Sequence, residues 1–193
     1  MYEYLQGKIA ELKPTNLVLD CNGTGYMINI SLNTYSAISD KETCRIFVHQ
    51  VIREDAHLLF GFATHTERDI FRALISVSGI GANTARMMLS SLTPEEIQRA
   101  IMEANVLVLK NIKGIGVKTA ERVIVDLRDK VGKIDKGENI LTNANNTIKE
   151  EALSALVMLG FAKNQASKVV DSILQSLPDS NVEGIVKEAL KRL

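Results

Sequence analysis

Sliding the sequence along itself by 35 residues brings Leu74, Val77, Gly79, Ile80, Gly81, Thr84 and Ala85 onto Leu109, Ile112, Gly114, Ile115, Gly116, Thr119 and Ala120, and six of the seven pairs are identical. A duplication this dense builds one local structure twice. Each copy reads as helix, Gly-Ile-Gly, helix. Glycine lets the backbone turn sharply and approach a ligand with no Cβ in the way. The following helix offers unpaired N–H groups and the positive end of its dipole to an anion. The isoleucine between the glycines pins the turn to a core. A lone Gly-x-Gly is equally well read as a plain turn between packed helices. Two copies in register suit a grip on two phosphates of opposite strands, as base-independent binding requires.

The charge distribution agrees. The chain has 193 residues with 23 Lys+Arg against 23 Asp+Glu, so bulk electrostatics does not make it a nucleic-acid or membrane protein and any anion affinity is local. Residues 63–133 carry 11 basic and 8 acidic side chains, against 5 and 7 in 1–62 and 7 and 8 in 134–193. Lys110, Lys113, Lys118, Arg122, Arg128, Lys130 and Lys133 surround the second copy, with Lys118 and Arg122 on one helical face. Candidate DNA contacts are therefore Gly79, Gly81, Asn83, Thr84, Gly114, Gly116, Lys118, Thr119 and Arg122.

Ahead of the repeat, residues 1–62 alternate apolar and polar in short runs rich in Val, Ile, Tyr and Phe. Asn22-Gly23 suits a tight hairpin, and Arg53-Glu54-Asp55-Ala56 forms the acidic tip of a second. About five strands in so short a stretch fit a small barrel, because closure hides unpaired edges. From Thr64 onward the period is helical. Thr64 with Glu67, Thr93 with Glu96, Thr147 with Glu150 and Ser180 with Glu183 each predict a helix start with a capping box, and Gly132 and Gly160 predict helix ends. Residues 134–147, rich in asparagine, read as a flexible linker, and 148–193 as three amphipathic helices. The fold class is α+β and multidomain: a β-barrel over 1–62, paired hairpins over 63–133, the linker and a three-helix domain. With 46% hydrophobic and 24% charged residues, no run long enough to span a bilayer and no basic-then-apolar start, the expected compartment is the cytoplasm. Cys21 and Cys44 read as buried thiols.

The repeated motif is the helix-hairpin-helix pattern. Together with Val51-Ile52-Arg53-Glu54-Asp55-Ala56, Leu58-Leu59-Phe60-Gly61-Phe62 and a terminal Leu159-Gly160-Phe161, it resembles, over the whole chain, the RuvA family of bacterial subunits that recognise Holliday junctions. The resemblance implies an OB-fold first domain, a homotetramer on the junction (one tetramer, or two as an octamer) and a third domain contacting the hexameric ATPase RuvB, with the resolvase RuvC as a further partner. It implies that Glu54 and Asp55 are acidic pins at the centre of the tetramer, that no cofactor or metal is needed, and that the chain is a non-catalytic subunit. A solvated turn is the plain alternative for Glu54-Asp55. A basic residue is common in both family copies where this chain has Asn83 and Lys118. In the first copy, contact then rests on backbone N–H groups with Asn83 and Thr84 as neutral donors. The third domain is UBA-like (similar to ubiquitin-associated domains) around Met158-Leu159-Gly160-Phe161, where core packing is the plain role. Its motor contact is placed on Val169, Val170 and Ile173, residues that also suit a core.

Enzymatic readings fare worse. Gly116-Val117-Lys118-Thr119 lacks the glycines of a phosphate-binding Walker loop, no Gly-x-Ser-x-Gly elbow occurs, and His49, His57 and His65 show no metal-type pairing. A DNA glycosylase or lyase with Lys118 as Schiff-base nucleophile needs a carboxylate in a base-sized pocket. Its downstream candidate, Asp135, opens the linker. The other rival is a general DNA-binding adaptor to which junctions are not special.

Overall fold

The computed structural model describes residues 2–132, 144–177 and 180–193, with the backbone alone for 144–147. Lys133 and most of the expected linker lie outside the described residues. Two units are present, Met1–Lys136 and Gly137–Leu193.

The first unit opens with β1 (Tyr4–Lys13), β2 (Asn16–Cys21), β3 (Thr24–Ile30), α1 (Leu32–Ile38), β4 (Thr43–Ile52) and β5 (His57–Phe62). The strands close into a barrel in the order β1-β2-β3-β5-β4, with β3 and β5 parallel and the other pairs antiparallel. Asn22 and Gly23 take positive φ values of 55° and 87° between the paired residues Cys21 and Thr24, as the hairpin reading requires. Leu5, Leu17, Leu19, Ile28, Ile30, Ile38, Cys44, Ile46 and Val48 fill the barrel. Cys44 is buried and its thiol pKa is pushed up chiefly by that burial, while Cys21 is half-buried. Helix α1 is not foreseen in the sequence pattern. It is short, and Ser31 starts it by accepting the N–H of Thr34.

Helices α2 (His65–Ile75), α3 (Ala82–Ser91), α4 (Pro94–Met102), α5 (Val106–Lys110) and α6 (Val117–Val131) follow. They share one apolar core with β5. Phe60 and Phe62 leave the barrel to meet Phe71, at ring-centroid distances of 5.2 and 4.8 Å. Thr93 and Glu96 form the full reciprocal capping box with Pro94 at the first helical position. The box expected at Thr64 is only half made. Thr64 caps the Glu67 N–H, but the Glu67 carboxylate turns into the interior, where it accepts from the hydroxyls of Ser31 and Thr34 (2.7 Å to Thr34) and from the Ala63 N–H (3.3 Å).

The second unit holds α7 (Ala144–Met158), α8 (Lys163–Ser176) and α9 (Val182–Arg192) around Ala152, Leu156, Ala166, Val170, Ile173, Ile185 and Ala189. Two expected starts move. Thr147 lies inside α7, which begins at Ala144, and α9 is capped by Asn181 rather than Ser180 because the Asn181 side chain accepts the Gly184 N–H at 2.8 Å. Gly160, at φ 101°, ends α7 with the paired bonds Phe161 N–H to Leu156 O and Gly160 N–H to Val157 O. No helix among the described residues is long and apolar enough to cross a membrane.

Burial raises the Glu67 carboxyl above its ordinary value, against the hydrogen bonds from Ser31, Thr34 and Ala63 that lower it. The folded chain therefore keeps this proton at a pH where the unfolded chain has lost it. The stability it contributes is full below the unfolded value near 4.5 and is lost as pH rises through the folded value. Urea unfolding across that range should show Glu67→Gln flattening the slope and changing neutral-pH stability by under about 1 kcal/mol. Glu67→Ala, which leaves the Ser31 and Thr34 hydroxyls without their acceptor while the Ala63 N–H keeps Thr34 Oγ1 at 3.1 Å, should cost about 3 kcal/mol.

Candidate nucleic-acid interface

The two copies are one geometry made twice. Gly79 and Gly114 have φ of 94° and 92°, and the capping residues Gly81 and Gly116 have φ/ψ of −87°/168° and −85°/168°. Ile80 donates its N–H to Val77 O at 3.1 Å and Ile115 to Ile112 O at 3.0 Å. Both isoleucines are 5% exposed, so each turn is pinned to the core as expected. Leu74, Ala85, Leu109 and Ala120 are fully buried beneath them.

Above that apolar base the backbone is bare. Helices α2, α4 and α5 start with a side chain that accepts an early N–H, from Thr64, Thr93 and Asn105. Helices α3 and α6 start on glycines with no side-chain cap, so the first-turn N–H groups at 82–84 and 117–119 keep no intrahelical acceptor. An added Cβ at Gly79, Gly81, Gly114 or Gly116 would meet nothing within 4 Å. The space over both turns is open, with donors and dipole aimed into it.

The polar side chains differ between copies. Gly79, Gly81, Asn83, Gly114, Gly116, Lys118 and Arg122 are exposed, and Thr84 and Thr119 are half-buried. Lys110, Lys113, Arg128 and Lys130 are also exposed around or below the second copy. Among the described residues none of these lysines or arginines is within 4.0 Å of a carboxylate. The Arg122 guanidinium reaches toward Ser78 O of the first turn at 3.5 Å, so it spans the two copies. Arg86 was not singled out in the sequence. It is half-buried on α3 and donates to Thr15 O at 2.9 Å and Asn29 Oδ1 at 3.2 Å of the barrel.

The acidic tip follows the last β4–β5 pair, Ile52 with His57, and is closed by the Arg53 N–H on Ala56 O at 2.8 Å. Glu54 and Asp55 stand exposed on it, outside any ion pair among the described residues. The histidines lie elsewhere. His49 is half-buried in β4, His57 opens β5, and His65 stacks on Phe47 with ring centroids 3.8 Å apart.

In the second unit the expected motor-contact residues are drawn into the core: Val170 and Ile173 are fully buried, and Val169 is half-buried against the same cluster. Conversely, Met158 and Leu159 are not core: they are 86% and 60% exposed, because the turn at Gly160 leaves them outside while Phe161 packs inward.

Comparison with known proteins matches this arrangement piece by piece. The profile described as RuvA N terminal domain covers residues 1–61, SAM-like Helix-hairpin-helix tandem covers 71–129, and RuvA, C-terminal domain covers 147–193. A protein of Christiangramia forsetii named Holliday junction branch migration complex subunit RuvA is 52% identical over 193 residues, spanning all of both chains. The chain belongs to the RuvA family. Proteins of the same name from Bacteroides thetaiotaomicron and Flavobacterium psychrophilum are 52% and 50% identical, again across 100% of each chain.

The RuvA-type hairpins separate strain from access. Gly114→Ala puts a side chain at φ 92° and should lower the urea-unfolding free energy by about 1–2 kcal/mol. Gly116→Ala, with ordinary extended angles and open space, should change it by under about 0.5 kcal/mol.

Proposed function

We propose that this chain binds four-way (Holliday) junction DNA through its paired hairpins and recruits the ATP-driven motor RuvB for branch migration in homologous recombination and DNA repair. The observation that carries the reading is the pair of matching uncapped helix starts, Gly81–Thr84 and Gly116–Thr119. Such sites hold phosphates with backbone N–H groups and read no base, as a protein that must act on any sequence requires. The name borne by relatives matched over the whole chain supports the same assignment.

The described parts take distinct roles. Lys118 and Arg122 add cations to the second turn, and Asn83 and Thr84 offer neutral donors at the first. Glu54 and Asp55 sit at the crossover, repel phosphates, keep strands apart and discourage plain duplex from settling there. The chain works as a homotetramer in the cytoplasm, one or two tetramers to a junction, with RuvC as a further partner. Strand exchange replaces each base pair lost by another, so the scaffold needs no chemistry of its own and the motor supplies direction. The motor contact falls on exposed apolar residues of the last unit, Met158, Leu159 and Leu190, since Val170 and Ile173 are enclosed.

Salt titrations of junction binding should show Lys118→Ala lowering affinity and reducing the log K against log salt slope by about one, and Asn83→Lys raising both by a similar step. An unchanged slope for Lys118→Ala would remove that side chain from the site. In a competition gel shift at fixed salt, a four-way junction should outcompete linear duplex of the same arm sequence by orders of magnitude. That preference should shrink in the double variant Glu54→Gln, Asp55→Asn. Equal binding of junction and duplex would replace this reading with the general adaptor.

A further inference from the structure

We infer that the two hairpin copies divide the work: the first, locked to the barrel by Asn33 and its neighbours, sets junction selectivity, and the second, charged and unlocked, sets affinity. The inference rests on the functional reading above.

Four consecutive residues that open α1 directly after β3, Ser31 to Thr34, each bond to the helices of the first copy. The Ser31 and Thr34 hydroxyls hold Glu67 of α2. The Leu32 N–H donates to Ser90 Oγ at 3.1 Å, and Asn33 Nδ2 donates to Leu89 O and Leu92 O at 2.6 and 2.9 Å. Arg86 returns the link from α3 to Thr15 and Asn29. Asn33 thus satisfies carbonyls at the closing end of α3 while the opening end stays bare for a ligand. Among the described residues no side-chain hydrogen bond joins α5 or α6 to the barrel. The reach of Arg122 to Ser78 O ties the second copy to the first instead.

Charge runs the opposite way. Lys110, Lys113, Lys118 and Arg122 of the second copy fall, at the 35-residue offset, on Ile75, Ser78, Asn83 and Met87, all neutral. The anchored copy's own arginines, Arg68, Arg72 and Arg86, are engaged by Glu3, Asp69 and the barrel, whereas the cations outside any ion pair among the described residues stand on the copy without the anchor.

Anchoring matters because the acidic tip is carried by the barrel. Ile30, just before the lock, pairs with Gly61, which pairs with Val48. From Val48 to Glu54 the strand runs about 20 Å, so a rotation of about 5° at the lock displaces the carboxylates by about 2 Å. Duplex held by the hairpins alone does not sense that displacement, whereas a junction centred on the tip does.

The test compares full-length wild type, Asn33→Ala, Ser90→Ala and Lys118→Ala in binding to a four-way junction and to linear duplex across a salt series, with thermal melts alongside. Asn33→Ala should cut the junction-over-duplex preference roughly tenfold. Its duplex affinity should stay within about twofold and its salt slope unchanged. Ser90→Ala removes a half-buried hydroxyl that accepts from the Leu32 N–H and donates to Arg86 O, and leaves folding intact; it should shift the preference in the same direction by a smaller factor. Lys118→Ala should lower both affinities and the slope while keeping the preference. Preference retained in both Asn33→Ala and Ser90→Ala, or junction and duplex affinity lost in parallel, overturns the division of labour. A wild-type chain with no preference defeats the functional reading itself.

Discussion

Glu67, at 2% exposure, sets how the barrel meets the helices of the first unit. Glu67 begins as an ordinary first-turn acid of α2, favoured there by the helix dipole, yet it reaches into the barrel and gathers two hydroxyls and a backbone N–H around its oxygens. Burying such a group is unfavourable unless its hydrogen bonds are met. The site therefore tolerates one arrangement of α1 against α2 and penalises the rest. The apolar bridge of Phe60, Phe62 and Phe71 supplies non-directional cohesion across the same seam, and Glu67 supplies direction.

On that frame the hairpins are rigid for a local reason. Each Gly-Ile-Gly buries its isoleucine and exposes its glycines, so one tripeptide both anchors and clears the surface above it. Near-identical angles in both copies follow from near-identical sequence. The side chains set on that common backbone diverge freely, which is how Asn83 and Lys118 occupy equivalent places.

Much of this was legible in the sequence because it rests on short-range rules. Strand alternation, the Asn22-Gly23 turn, the Thr93 capping box and the duplicated turns all depend on residues a few positions apart. What the sequence concealed depends on long-range geometry. Glu67 three residues after Thr64 looks like a capping partner, and only closure of the barrel brings Ser31 and Thr34 to compete for it. Helix α1 is a short element inside a region whose general alternation reads as strand, and Arg86 finds its acceptors more than 50 residues away. The period of α8 was right, yet periodicity names a buried face without saying whether a partner or the chain itself covers it; Val170 and Ile173 are covered by the chain itself.

The bare helix starts carry a consequence for how such a protein changes over time. A contact made by peptide N–H groups is encoded by backbone conformation, so most single substitutions nearby leave it standing. Constraint is confined to a few glycines and the apolar pegs beneath them, while the surrounding side chains are free to retune strength for a particular cell's ionic conditions. Recognition written into the main chain is heritable through divergence in a way that a cluster of arginines is not.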